Sequence, residues 1–282
     1  MLSLQPFRNG RPCKGEDVPM MDMELILHIA SFVFGAVVGS FLNVVIFRLP
    51  AEGESIVYPA SRCPACSTPI RWCDNIPIVS FLLLRGRCRA CRGTISLQYP
   101  LVELCMALLS LALYTKFALS FEFFFYFLFL AALLVIIFID IRLQIIPDAI
   151  SLPGILIGFA GSFAASGLTW QQSGLGILLG GGILYAVAAG YYLLTRREGM
   201  GGGDIKLLGM IGAFLGVQSL LFVVFASSLT GSVVGILAML KQGKGGKTRI
   251  PYGPFLALGA MLFLFFQDDI FRLWQWYLTR GI

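Results

Sequence analysis

From residue 207 to residue 240 the chain runs for 34 residues without a charged side chain. One helix crosses a bilayer with about 20 apolar residues, so this stretch exceeds one span and is tight for two. Other uncharged stretches cover 25–47, 123–139, 149–168 and 174–194, with shorter ones at 101–114, which encloses Glu103, and 251–266. Apolar residues make up 57% of the 282 and charged residues 13%, against about 25% charged in soluble domains, and the mean hydropathy is +0.84. These values exclude an ordinary soluble enzyme and a disordered or collagen-like chain. With a turn placed near Gln218 and Ser219, the fold class is an all-α polytopic membrane protein of about eight transmembrane helices.

Orientation follows from Lys and Arg, which collect in cytoplasmic connections. Arg48, Arg62, Arg71, Arg85, Arg87, Arg89 and Arg92 separate spans one and two, and Arg142 separates three and four. Arg196, Arg197 and Lys206 separate five and six, and Lys241, Lys244, Lys247 and Arg249 separate seven and eight. These alternate connections are read as cytoplasmic, with both termini outside. The net charge of +6 is then a consequence of topology rather than a sign of nucleic acid. Arg8, Arg11 and Lys14 fall on the wrong side of this scheme. Residues 1–22 lack the features of a signal peptide, and Met20, Met21 and Met23 offer later starts, so 1–22 is read as a tail that need not be native. The remaining divisions are a first transmembrane helix at 23–47, a Cys-rich segment at 48–98 and a membrane domain at 99–282. No repeat of fixed period is expected.

The segment 48–98 is the one part suited to water. Five prolines between Pro50 and Pro77 interrupt any helix there. It holds Cys63-Pro-Ala-Cys66 and Cys88-Arg-Ala-Cys91, separated by 21 residues. Each CxxC turn offers two sulfurs to a tetrahedral ion, which predicts a structural Zn2+ on Cys63, Cys66, Cys88 and Cys91 in a ribbon-like module. A cytoplasmic position argues against disulfides, and a segment this poor in large apolar side chains needs a staple. Cys73 is read as spare, Cys105 as packing, and Cys13 belongs to the tail.

Ionisable groups in a membrane are costly and mark function by default. Glu122 and the pair Asp268–Asp269 are expected at solvated outer ends, Glu103 in a helix-capping or ion-pairing role, and Asp148 as cap of the fourth span. Asp140 ends the third span, and Asp204 opens the sixth within Gly201-Gly202-Gly203-Asp204-Ile205-Lys206. They are 64 residues apart in sequence but share one membrane depth. Two carboxyls brought together share a proton; one activates water while the other polarises a carbonyl. The glycines permit the close approach and irregular backbone such a site needs. The only histidine, His28, lies deep in span one, which leaves no Ser-His-Asp arrangement. A transporter using the carboxylates as a proton relay is the alternative; the lack of symmetry between halves weighs against it.

Several motifs, in order, carry a resemblance. They are Gly39-Ser40-Phe41-Leu42-Asn43 with Arg48-Leu49-Pro50, the paired cysteines, Asn75-Ile76-Pro77-Ile78-Val79-Ser80, and Tyr99-Pro100-Leu101-Val102-Glu103. Asp140 with Ile146-Pro147-Asp148, Glu198-Gly199-Met200 running into Gly201 to Lys206, and Ile250-Pro251-Tyr252-Gly253-Pro254 follow. From about residue 33 the chain resembles the type IV prepilin peptidases, bifunctional leader peptidase/N-methyltransferases. The resemblance implies an enzyme of the bacterial inner membrane that cuts a basic leader from prepilins or pseudopilins at the cytoplasmic face. It implies methylation of the new N-terminus from S-adenosylmethionine, with Asp140 and Asp204 catalytic and Asp148, Lys206, Gly201 and Gly203 supporting. It also links the Cys-bearing loop to methyl transfer. No Rossmann glycine fingerprint is present, and the donor's binding residues are not assigned.

Overall fold

The computed structural model describes residues 20–51, 53, 55–196, 201–242 and 251–280. The tail with Cys13, the Glu198–Met200 motif and Lys244, Lys247 and Arg249 lie outside the described residues. Nine α-helices occur among those described: α1 (Met20–Arg48), α2 (Val79–Leu83), α3 (Gln98–Phe117), α4 (Phe121–Leu143), α5 (Asp148–Gly161), α6 (Trp170–Thr195), α7 (Gly202–Leu215), α8 (Val217–Gln242) and α9 (Gly253–Arg280). The chain is an all-α polytopic membrane protein. Six helices (α1, α3, α4, α6, α8 and α9) have the length and apolarity to cross a membrane. Helices α5 and α7 have 14 residues each.

Helix α4 forms the core. It has no charge between Phe123 and Ile139 and is buried on nearly every face, including Phe129, Leu130, Leu133 and Ile136. It packs on α1, α3, α5 and α9, while α7 packs among α5, α6, α8 and α9. Small residues let the neighbours approach closely, the usual basis of helix association in lipid. On α1, Ser31, Gly35 and Gly39 line one stripe: Ser31 and Ser110 exchange hydroxyl-to-carbonyl hydrogen bonds of 3.0 and 2.8 Å. A Cβ on Gly39 would lie 2.8 Å from the Glu103 backbone. Gly176 and Gly212 bring α6 and α7 into direct backbone contact.

Three expected boundaries move. Helix α5 stops at Gly161 rather than 168, with a turn and an extended connection before the Thr169 capping box that opens α6. The break within 207–240 falls at Gly216, two residues before the expected turn, where φ is +75°, a value glycine adopts without strain. Helix α9 continues past 266 to Arg280, with a kink at Phe266 (φ −113°, ψ 18°). The Lys116 ammonium donates to the carbonyls of Leu264 and Phe265 at 2.8 and 3.1 Å, which satisfies oxygens that the kink frees. Beyond the kink, exposed Trp274, Trp276 and Tyr277 suit a membrane–water interface.

Candidate active site and metal centre

Asp140 lies in the last turn of α4. The helix closes on a left-handed Gln144, whose N–H donates to the Asp140 carbonyl at 2.9 Å. The carboxyl is buried, and its Oδ2 accepts the backbone N–H of Gly253 at 3.0 Å. Gly253 is the first residue of α9, so Asp140 takes one of the N–H groups that a helix start leaves unpaired. A Cβ on Gly253 would stand 2.7 Å from that Oδ2, so a side chain there would push on the carboxyl.

Asp204 is the third residue of α7 and half-buried. Gly201 is extended before it (ψ 141°), and Gly203 leaves room for Ile146: a Cβ there would lie 2.9 Å from the Ile146 Cβ. Ile146 also abuts Gly253. The starts of α7 and α9 therefore close on the same short segment after α4. Each carboxyl sits at a helix N-terminus, whose positive end favours an anion. Asp148 corrects an expectation: the cap of α5 is Pro147, with no side-chain bond. Asp148 instead receives Lys206 Nζ on both oxygens at 2.7 Å, an ion pair that ties the start of α5 to the start of α7.

The Cys module stands against α1 and α3. The four Sγ atoms of Cys63, Cys66, Cys88 and Cys91 lie within 4.8 Å of one another, with Cys63 and Cys91 at 3.9 Å. Four sulfurs at about 2.3 Å from one ion are about 3.8 Å apart, so the cluster fits a tetrahedral metal. Thr68, through its hydroxyl and its N–H, holds the Cys66 thiol down to about 6, while the neighbouring Cys66 and burial push the Cys91 thiol up to about 11. Cys73 is exposed and stands outside the cluster.

The two CxxC turns are alike beyond their cysteines. Arg62-Cys63-x-Ala65-Cys66 recurs as Arg87-Cys88-x-Ala90-Cys91, and the backbone follows at the same offset. Arg62 pairs with Pro69 as Arg87 pairs with Thr94. Cys63 N–H donates to Thr68 as Cys88 N–H donates to Gly93, and Ser67 and Arg92 both take positive φ. A ten-residue unit is too short for the periods by which repeats are usually found; the offset between the two cysteine pairs was the available signal.

Two contacts fix the module. Arg89 grips Asp74 with Nε and Nη2 at 2.9 and 2.7 Å, holding that carboxyl below its usual range. Glu103, on α3, accepts the N–H of Ile78 at 2.7 Å. Ile78 has φ +63°, a strained state for a β-branched residue that costs about 1–3 kcal/mol. A hydrogen bond to a carboxylate contributes about 1.5–3 kcal/mol, enough to offset it. Glu103 thus caps α2 rather than its own helix. Glu122, expected at a solvated end, accepts from the N–H and hydroxyl of Ser166, and His28 packs edge-on against Tyr114.

Residues 33–117 match the bacterial peptidase A24 N-terminal domain, and residues 127–236 match the type IV leader peptidase family. The chain is 38% identical over 276 residues to a prepilin leader peptidase/N-methyltransferase of Aeromonas hydrophila, covering 88% of this chain and 93% of that protein. The chain belongs to the type IV prepilin leader peptidase/N-methyltransferase family. Proteins of the same description from Neisseria gonorrhoeae (34% identity; 89% of this chain, 94% of that protein) and Pseudomonas aeruginosa (34%; 90% and 97%) agree. No solved structure matches the chain. Membership supports a protease-like enzyme in a membrane. Of the site's contacts, sequence reasoning missed the Gly253 donor, although Gly253 stood within a quoted motif, and the Asp148–Lys206 pair, although both residues were singled out.

Proposed function

We propose that the chain is an aspartic endopeptidase of the bacterial inner membrane that removes the leader of prepilins or pseudopilins at the cytoplasmic face. It then methylates the new N-terminal amine with S-adenosylmethionine as co-substrate. The observation that supports the peptidase reading is that Ile146 abuts both Gly203, which precedes Asp204, and Gly253, whose N–H the Asp140 carboxyl accepts. In this reading the pair shares one proton. The ionised carboxylate takes a proton from water as its oxygen attacks the scissile carbon, and the protonated one hydrogen-bonds the carbonyl oxygen. The proton then passes to the leaving nitrogen as the C–N bond breaks. Lys206 and Asp148 hold α7 and α5 in register around the pair, Gly201 and Gly203 give α7 its close approach, and α5 and α7 complete eight crossings.

Cys63, Cys66, Cys88 and Cys91 hold a structural Zn2+, which supplies the cohesion that segment 48–98 lacks as a folded module for methyl transfer. Residues 99–282 carry peptide cleavage. Incubating the purified protein with a prepilin, with and without labelled methyl donor, and weighing the products tests both activities. An uncut prepilin overturns the reading.

Gly253→Ala probes the geometry. Its Cβ meets the Asp140 carboxyl, so it is expected to displace that group and lower the cleavage rate by about 10²-fold. Rates on a prepilin, with thermal unfolding as the control, check this; an unchanged rate excludes the Gly253 donor from the mechanism.

A further inference from the structure

A groove of about 620 Å³ runs along the free face of α1 toward the Cys module. Its floor is Val37, Phe41 and Val44, which share a face at spacings of three and four, and Arg48 closes it one turn further on. Ile56, Val57, Pro59, Asn75, Ile76 and Pro77 complete its lining. Eleven residues separate Val37 from Arg48, about 16 Å of helix, or about half the hydrocarbon thickness. The lower groove is therefore at bilayer depth, where Val37 and Phe41 are 54% and 50% exposed and face the lipid side. The mouth, with Arg48, Ser61 and Asn75, lies at the water interface.

This gradient suits neither a water-soluble peptide nor a wholly polar small molecule. It matches a membrane-embedded apolar segment that ends in a polar group at the interface. We propose that the groove holds the apolar segment of the processed substrate, with its new N-terminal amine at the mouth beside Arg48 as acceptor of the methyl group. The proposal rests on the two-activity reading above.

Two further observations support it. Every lining residue lies between 37 and 77, inside the match to the N-terminal domain (33–117) and outside the match to the peptidase family (127–236). And the groove lies beside the dyad: Phe47, next to Arg48, stacks under the guanidinium of Arg142 at 4.3 Å, two residues beyond Asp140. Adjacent helix residues point about 100° apart, so the two sites flank one helix end. A cleaved substrate passes round α1 without leaving the membrane.

The chemistry requires a neutral amine. Its lone pair attacks the methyl carbon of the sulfonium donor; an N–C bond forms, the C–S pair returns to sulfur, and a proton leaves the nitrogen for water. A fixed cation in a partly apolar site favours the neutral form of a neighbouring amine. Arg48, whose Nη1 donates to the Ser55 carbonyl at 3.1 Å, lines the mouth and supplies that charge in the proposed complex.

The full chain in nanodiscs tests this with a photoreactive benzoylphenylalanine in place of Phe41. Illumination during turnover is expected to crosslink the leaderless substrate. Crosslinks to lipid alone, or to uncut prepilin alone, overturn the proposal. Val44→Trp fills the groove and is expected to lower methylation by about tenfold or more while leader cleavage continues. Arg48→Gln is expected to shift the methylation pH profile upward, the cleavage profile staying in place. Normal methylation in Val44→Trp and an unmoved profile in Arg48→Gln overturn the groove alone. A parent chain that neither cuts nor methylates overturns the functional reading instead.

Discussion

Asp140→Asn and Asp204→Asn are each expected to reduce leader cleavage by at least about 10³-fold, the scale of a lost general acid or base. Asparagine keeps the size of the side chain and an oxygen for the Gly253 N–H, so α4 and α9 are expected to stay docked. The amide neither takes a proton from water nor gives one to the leaving nitrogen. The loss is expected in kcat, with KM little changed, because the groups act on the reacting atoms rather than on the substrate's apolar segment. The double variant is expected to be no worse than either single one, since two members of one proton-sharing unit are not additive. Prepilin cleavage followed by mass, with thermal unfolding as a control for folding, checks this. Full rate in either single variant removes the dyad from the mechanism.

The second large effect is expected at the Cys module. The parent protein should hold about one zinc per chain, and Cys63→Ser with Cys66→Ser should abolish it, because a tetrahedral site does not survive the loss of two thiolates. Only Cys88 and Cys91 then remain of the cluster, and the two turns, each with a single bridge pair, are left unjoined. Too little apolar side chain is buried there to keep 48–98 folded. Methyl transfer is expected to disappear, whereas cleavage persists, because Asp140 and Asp204 are held by α4, α7 and α9. Metal analysis of the purified chain and the two product masses check the two halves. A parent free of zinc removes the metal, and equal loss of cleavage and methylation removes the division of labour.

The long membrane helices were legible because long uncharged runs constrain a membrane chain strongly. The clustering of Cys63, Cys66, Cys88 and Cys91 was legible because CxxC turns carry their geometry locally. What sequence left out is tertiary. Nothing near residue 140 indicates that its carboxyl takes an N–H from residue 253, or that Ile146 lies against Gly203. Asp148 reads locally as a cap, and only the packing of α5 beside α7 gives it Lys206. Likewise the end of α5 at Gly161 was hidden because residues 162–168, largely small and uncharged, keep the composition of a helix they do not form.

The 14-residue length of α5 and α7 has a further consequence. Each is about 21 Å long, against about 30 Å of hydrocarbon. If α5 and α7 complete the eight crossings proposed above, the bilayer beside α5 thins locally, or a wet recess forms above the N-terminal ends of both helices, where Asp148 and Asp204 stand. Either response brings hydrolytic water to a depth that longer helices would keep dry. Peptide cleavage in reconstituted vesicles should therefore slow as the acyl chains lengthen, through hydrophobic mismatch alone and with no change in the protein.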